Sequence, residues 1–265
     1  MELEFAHATD CGRVRDHNED YLGCALPEAP EREQTHGWLF ALADGVGGQE
    51  KGEVASRAAV ETLLAEFRRA GRDLPLRSLL PKLVQTANEK VYEAGLAAKP
   101  RGAPMATTLV ACALRFDRAV VSHVGDSRCY AIRDGRATPL TRDHTVVSEQ
   151  ARLGLISSRE AAESETRHVL TRSLGNGMFV GVDTAEHIVL AGDVLLMCSD
   201  GLHGAISAED MAGIVAGAGD LNVAARQLID AANERDGGDN VSVQLIRVRS
   251  VERIGMYRGR PYKLA

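Results

Sequence analysis

Four aspartates in this chain sit where short apolar runs meet glycine or serine. Trp38-Leu39-Phe40-Ala41-Leu42-Ala43 runs into Asp44-Gly45-Val46-Gly47-Gly48. Ala119-Val120-Val121-Ser122-His123-Val124-Gly125 runs into Asp126-Ser127, and Asp193-Val194-Leu195-Leu196-Met197-Cys198-Ser199 into Asp200-Gly201. Gly237-Gly238 precede Asp239-Asn240 and the strand-like Val241-Ser242-Val243-Gln244-Leu245-Ile246. A short apolar run bounded by turn residues reads as a buried strand. Each carboxylate therefore falls where a strand enters or leaves the core, and a charge stranded there is costly unless something pairs with it. No Lys or Arg adjoins Asp44, and Lys51 lies beyond the turn. A divalent cation would pair with Asp44, and Gly45 would let a backbone carbonyl approach it too. One such aspartate is an ordinary turn former or helix cap. Four with the same surroundings point to a shared site, although spacing alone does not bring them together.

Along the chain, strands are expected at 4–10, 21–26 and 38–43, then helices at 52–69 and 78–98. Strands follow at 107–115, 119–124, 128–133 and 136–140, with hairpin turns at Asp117 and at Asp134-Gly135. Residues 146–153 read as helix and 154–173 as a charged, irregular, mobile flap. Strands at 179–190 and 194–199, helices at 208–216 and 222–234, and a closing strand at 241–248 complete the pattern. No repeat or linker divides it, so one α+β domain is expected over 1–249, followed by a basic, strand-poor tail at 250–265 carrying Arg253, Arg258, Arg260 and Lys263.

Composition narrows the partners. The net charge of −6 and 4% aromatic content argue against a nucleic-acid binder, whether by phosphate attraction or by base stacking. No run approaches the length of a membrane span, and residues 1–10 have no apolar segment, so no secretory signal is expected. Five cysteines, scattered and without CxxC spacing, fit reduced thiols in the cytoplasm.

An all-oxygen aspartate set selects hard cations such as Mg²⁺ or Mn²⁺, and hard cations held by several carboxylates suit phosphate chemistry. Such a site needs a cationic side chain for the phosphate itself, and arginine's fork suits that. Arg13 and Arg15, beside Asn18-Glu19-Asp20, are placed to supply it. The one cysteine followed by five residues and an arginine is Cys112, before Arg118, but the residues between lie in the expected strand at 107–115 and its hairpin turn and form no phosphate-cradling loop, which argues against a cysteine-based phosphatase, and no Gly-x-x-x-x-Gly-Lys-Ser/Thr occurs.

The segment Gly12-Arg13-Val14-Arg15-Asp16-His17-Asn18-Glu19-Asp20 resembles the first motif of the metal-dependent protein phosphatases of the PPM, or type 2C, family. Ala43-Asp44-Gly45-Val46-Gly47-Gly48 with Gly52-Glu53-Val54-Ala55-Ser56 resembles the second, and Gly125-Asp126-Ser127-Arg128 the central one. Leu140-Thr141-Arg142-Asp143-His144-Thr145 and His168-Val169-Leu170-Thr171-Arg172-Ser173-Leu174-Gly175 resemble the segments that enter and leave the flap. Cys198-Ser199-Asp200-Gly201-Leu202 and Gly238-Asp239-Asn240-Val241-Ser242 match the last two. Seven motifs in family order, at a compact length, are similar to bacterial members.

The resemblance implies two packed antiparallel β-sheets flanked by pairs of antiparallel helices. It implies a Ser/Thr protein phosphatase in which a metal-bridging hydroxide attacks phosphoserine or phosphothreonine, opposing a cognate Ser/Thr kinase in signalling. Two Mn²⁺ or Mg²⁺ are implied, with a third, weaker one. By the same resemblance Asp44 would bridge the metals and the Gly45 carbonyl would bind the second. Asp200 and Asp239 would complete the first, and Glu19 would hold the second directly or through water. Asp20 would orient water, Arg15 would bind the substrate phosphate, and Asp126 with Asp200 would hold the third metal. Asn240 would support the ligands from behind. Gly154, His168 and Arg172 mark the flap that would choose the substrate. Val46 stands where some relatives carry a histidine, so the leaving group's proton donor is open. Metal-bound water is the default, and His17, His144 and His168 are the nearest histidines in the motifs. The alternative is a catalytically weak phosphoprotein-binding regulatory module, for which loss of Asp44, Asp200 or Asp239 would have been the sign.

Overall fold

A computed structural model describes residues 1–28, 33, 35–46, 51–71, 74–98, 105–252, 254–257 and 260–263, with backbone alone at 158, 162 and the last two segments. Gly47, Gly48, the loop expected at 99–104, and the tail residues Arg253 and Arg258 lie outside the described residues.

Two five-stranded antiparallel sheets form the centre. One has the order β1 (Glu2–Asp10), β10 (Val241–Ser250), β9 (Val194–Cys198), β6 (Arg128–Arg133), β7 (Arg136–Pro139). The other has the order β2 (Asp20–Ala25), β3 (Trp38–Asp44), β4 (Leu109–Arg115), β5 (Arg118–Val124), β8 (Asp183–Ile188). The central strands β3, β4, β5 and β9 are almost entirely buried because both faces of each sheet are covered there. In β3, Phe40 and Leu42 pack between the sheets with Val110, Val121, Leu195, Met197 and Ile246. Leu39, Ala41 and Ala43 face the other way, onto α1 (Gly52–Arg69) and α2 (Leu76–Ala97). Val194, Leu196, Val243 and Leu245 likewise face α6 (Ala208–Gly217) and α7 (Leu221–Arg235). The side-chain period of two thus builds a four-layer helix-sheet-sheet-helix sandwich.

Helix α1 buries Ala55, Ala59, Val60, Leu63 and Phe67 at helical spacing, with Glu53 in its first turn and Arg68 and Arg69 in its last, complementing the helix dipole. Asp220 caps α7 by accepting from the amides of Asn222 and Val223. The β6–β7 turn has Asp134 at φ 50° and Gly135 at φ 72°, the left-handed pair that a two-residue hairpin loop requires.

Three expectations need correction. The 154–173 segment is not wholly irregular. It carries α4 (Ser158–Glu163), closed by a reciprocal Ser157/Glu160 capping box and preceded by α3 (Val146–Arg152). The strand expected at 179–190 pairs only over β8, because the chain before it is held by α2 side chains rather than by a ladder. The tail is not strand-poor: β11 (Ile254–Tyr257) pairs with β12 (Arg260–Lys263). A short helix missing from the expectations, α5 (Asp200–His203), follows β9.

Candidate functional site

Topology gathers the aspartates. β3 and β5 both pair antiparallel to β4, so their C-terminal ends, and with them Asp44 and the Gly125-Asp126 turn, share one rim. Asp20 opens β2 directly opposite Asp44. In the other sheet β9 ends before Asp200, and its antiparallel neighbour β10 begins just after Asp239 and Asn240. The two rims meet over a cleft of about 460 Å³ lined by Arg15, Glu19, Asp44, Gly45, Val46, Thr108, Asp126, His168, Leu170, Asp200 and Asp239.

Asp44 is held by its backbone, which leaves its carboxylate free. Its N–H donates to Thr108 Oγ1 at 2.9 Å, and its carbonyl accepts from Thr108 N at 2.8 Å and Thr107 Oγ1 at 2.7 Å. Gly45 donates to the Glu19 carbonyl at 3.1 Å. A Cβ on Gly45 would lie 2.5 Å from the Gly52 backbone, and one on Gly52 would lie 2.7 Å from the Glu19 carboxylate. Two glycines thus let Glu19, the Asp44 turn and the start of α1 share one place.

Asn240 organises the loop that carries Arg15 and Glu19. Its Nδ2 donates to the carbonyls of Cys11 at 3.0 Å and His17 at 2.9 Å, while its Oδ1 accepts from Glu19 N at 2.8 Å. Its role is therefore to clamp backbone. Arg15 Nη2 donates to Asp239 Oδ2 at 2.9 Å, and both side chains stay about two-fifths exposed, at 42% and 41%.

The electrostatics are those of carboxylates crowded without enough positive charge. Burial raises Asp44 well above the ordinary carboxylate range, and Asp20, Asp200, Asp126 and Asp239 add repulsion. Burial likewise lifts Asp20 to about 7, against hydroxyls of Ser242 and Ser199. It lifts Asp126 to about 7, with Asp200 and Asp143 adding to the effect. Burial and then Glu53 raise Glu19. For Asp200 burial pushes up, but His168, His203 and a hydrogen bond to the Asp44 carboxyl hold it below its usual value. Asp20 is buried, with Oδ2 accepting from Ser199 Oγ at 2.8 Å and Oδ1 without a partner among the described residues. An orphaned buried oxygen, crowded carboxyls and an all-oxygen donor set fit a hard divalent cation, and Glu19, Asp44, Gly45, Asp126, Asp200 and Asp239 line the cleft where it would sit.

Of the three flap residues singled out from the sequence, only His168 reaches the cleft, with Nδ1 at 3.5 Å from Asp200 Oδ2 and a pKa raised chiefly by that contact. Gly154 ends α3, and Arg172 is turned to Asp183 at 2.8 Å; neither lines the cleft. His17 and His144 do not line it either. Sequence reasoning missed Thr108, which ties Asp44 to Ser127 through its hydroxyl at 2.7 Å, and Ser199, which holds Asp20. It also missed His203, whose Nε2 lies 2.9 Å from the Asp126 carbonyl. The signal was present in Thr107-Thr108, a polar pair opening an otherwise apolar strand. A second hollow of about 440 Å³ adjoins the cleft between Asp126 and α3–α4, sharing Asp126, His168 and Asp200.

Known proteins resemble the chain in sequence and fold. A family model described as protein phosphatase 2C matches residues 13–220. The serine/threonine phosphatase stp of Listeria innocua is 34% identical over 263 residues, covering 98% of this chain and 99% of that protein. The Ser-Thr phosphatase MsPP of Mycobacterium smegmatis, solved with cacodylate, superposes with a TM-score of 0.78 at 37% identity, over 92% of this chain and 98% of that one. The catalytic domain of the phosphatase PstP, solved with two manganese ions, gives 0.75 at 32% identity, over 92% and 97%.

Proposed function

The chain belongs to the protein phosphatase 2C family, and we propose that it hydrolyses phosphoserine and phosphothreonine in proteins with the help of divalent cations. The observation that carries this reading is the convergence of five carboxylates and one guanidinium on one cleft, with a sixth carboxylate, Asp20, directly behind. Asp44, Asp200 and Asp239 would hold one cation; Asp44, the Gly45 carbonyl and Glu19 a second; Asp126 with Asp200 a third, weaker one. Bound Mn²⁺ or Mg²⁺ would activate water and neutralise phosphate charge.

The chain's own groups do the rest. Arg15 spends one nitrogen on Asp239 and has its remaining donors for the substrate phosphate. Asp20 Oδ1, buried and unpaired, is the acceptor that orients the attacking water. Val46 offers no proton to the leaving alkoxide, so that proton is drawn from water in the cleft. His168 is the flap residue that meets the substrate. The partners are proteins phosphorylated by a Ser/Thr kinase in the same cell. Five free cysteines favour the cytoplasm, and among the described residues no helix is long and apolar enough to cross a membrane.

The test is hydrolysis of a phosphothreonine peptide with EDTA, Mg²⁺ or Mn²⁺, beside Asp44→Asn and Asp239→Asn. Activity that needs added cation and collapses in both variants supports the reading. EDTA-resistant activity refutes the cation mechanism. A folded, inactive chain that still binds phosphopeptide returns the regulatory-module reading.

A further inference from the structure

His144 is fully buried and opens on neither the cleft nor solvent, yet its Nδ1, its amide and its carbonyl are each committed to something that matters for the site. Its Nδ1 accepts from Gly125 N at 3.1 Å, and its own N–H donates to the Gly125 carbonyl at 3.0 Å. Both backbone groups of the residue before Asp126 therefore end on one side chain and its amide. Gly125 sits at φ +101°, with Thr108 so near that a Cβ would lie 2.7 Å from it. The Asp126 turn is thus fixed from two sides, by Thr108 and by His144.

The other end of the ring faces the flap. His144 Nε2 lies 3.2 Å from Asp183 Oδ2, and Asp183 Oδ1 accepts from Arg172 at 2.8 Å. The His144 carbonyl accepts from Thr171 N at 2.7 Å, and Thr145 bridges Leu170. The segment that carries His168 and Leu170 onto the cleft is therefore tied to His144 by backbone and by side chain. Because Nδ1 accepts, Nε2 carries the proton and turns it toward the Asp183 carboxylate, a close polar contact at 3.2 Å that falls short of hydrogen-bond alignment. Burial, which pushes His144 down to about 4, and the neighbouring His123 keep the ring neutral in that form.

His123, His144 and Asp183 place candidate metal-ligating atoms within 4.8 Å of one another. His123 and Asp183 are already engaged by the Arg142 carbonyl and Arg172, and His144 Nε2 faces the Asp183 carboxylate. His123 Nε2 is 2.8 Å from the Arg142 carbonyl, and the two rings stack at 4.6 Å, only 20° from parallel. Parallel rings direct their lone pairs along parallel planes rather than at one point. The cluster is a latch of stacked rings and a close polar contact.

We propose that His144 is a positioning residue: one nitrogen fixes the turn presenting Asp126, the other anchors the outgoing flap through Asp183 and Arg172, so a single ring sets both. The inference rests on the proposed cation-holding role of Asp126 and on the phosphatase reading. It is tested on the full chain with His144→Asn, His144→Gln and Asp183→Asn. Asparagine keeps an acceptor near the Nδ1 position and withdraws from Asp183. Glutamine reaches toward Asp183 and vacates Gly125. Three readouts are compared: Mn²⁺ binding by calorimetry, amide exchange at 168–174, and KM for a phosphothreonine peptide against kcat for p-nitrophenyl phosphate.

Loss of one close polar contact to a charged group corresponds to about a tenfold effect. His144→Asn and Asp183→Asn should speed exchange at 168–174 and raise peptide KM by about that factor, with Mn²⁺ binding near native, and Asp183→Asn should leave kcat for p-nitrophenyl phosphate unchanged. His144→Gln should weaken the weakest Mn²⁺ site instead, with the flap amides still protected. The proposal is overturned if Asp183→Asn leaves exchange unchanged, or if both His144 variants move both readouts alike. Should His144→Gln fail to fold, the half-exposed Asp183 and the His144→Asn pattern still decide. Exchange and calorimetry need no turnover, so an inactive native chain would count against the phosphatase reading alone.

Discussion

Replacing Asp20 by Asn should stabilise the cation-free chain, by an amount that grows with pH. The Asp20 carboxyl is 8% exposed, with one oxygen bonded to Ser199 and the other bonded to nothing. Its pKa rises from 3.8 to about 7 on folding. The folded chain therefore binds a proton that the unfolded chain has released. That contribution is complete below the unfolded value and is lost as pH climbs through the folded one. Asn is neutral throughout and keeps an oxygen for Ser199. At 1.36 kcal/mol per pH unit of difference, the variant's advantage is about 2 kcal/mol at pH 5 and about 4 kcal/mol at pH 8. Water penetration and relaxation reduce both, so the growth between the two pH values, about 1 to 3 kcal/mol, is the quantity to measure. Urea unfolding in EDTA at pH 5 and pH 8, native beside Asp20→Asn, reads it directly. An advantage that is absent, or equal at the two pH values, would refute the claim that this carboxylate is buried at a cost that only a cation relieves.

Asn240→Ala removes three hydrogen bonds to backbone and leaves the Cys11 and His17 carbonyls and the Glu19 amide without that partner; thermal unfolding should show a loss of about 2–4 kcal/mol, with weaker Mn²⁺ binding. Arg15→Ala should cut kcat/KM for a phosphopeptide by about two orders of magnitude, while urea unfolding changes by no more than about 0.5 kcal/mol because the Asp239 pair is exposed. Gly45→Ala drives a methyl into the Gly52 backbone at 2.5 Å, so about 2 kcal/mol or more of stability should disappear in a chemical melt.

Much of this arrangement was legible in the residues. The strands of both sheets read as apolar runs because a helix layer covers one face and the opposite sheet covers the other, as the contrasting directions of Leu39 and Phe40 show. The strand-end aspartates marked the rim because a carboxylate there has nowhere else to go. Helix α4 was hidden because Ser158–Glu163 presents no apolar stripe, although Ser157 and Glu160 spell its capping box. Phe179 made the approach to β8 look like strand, yet it is exposed, and Gln85 and Asn88 on α2 hold its neighbours instead. The β11–β12 pairing had a cue in Arg258-Gly259 between two tyrosines, outweighed by the run of basic residues. His144 had a visible motif and an invisible orientation, since sequence does not tell which way a loop side chain turns.

The carboxylates of the cleft come from both sides of the sandwich, Asp20, Asp44 and Asp126 from one sheet's rim and Asp200 and Asp239 from the other's. Occupancy of the cleft is then a clasp across the seam, and its absence leaves like charges prising the rims apart. A ligand present at about a hundred times its dissociation constant adds about 2.7 kcal/mol to the folded state. Cellular cation levels would therefore govern how tightly two sheets that share a core farther in, at Phe40, Leu42, Leu195 and Met197, stay shut at this end, and so the lifetime of the molecule as well as its turnover.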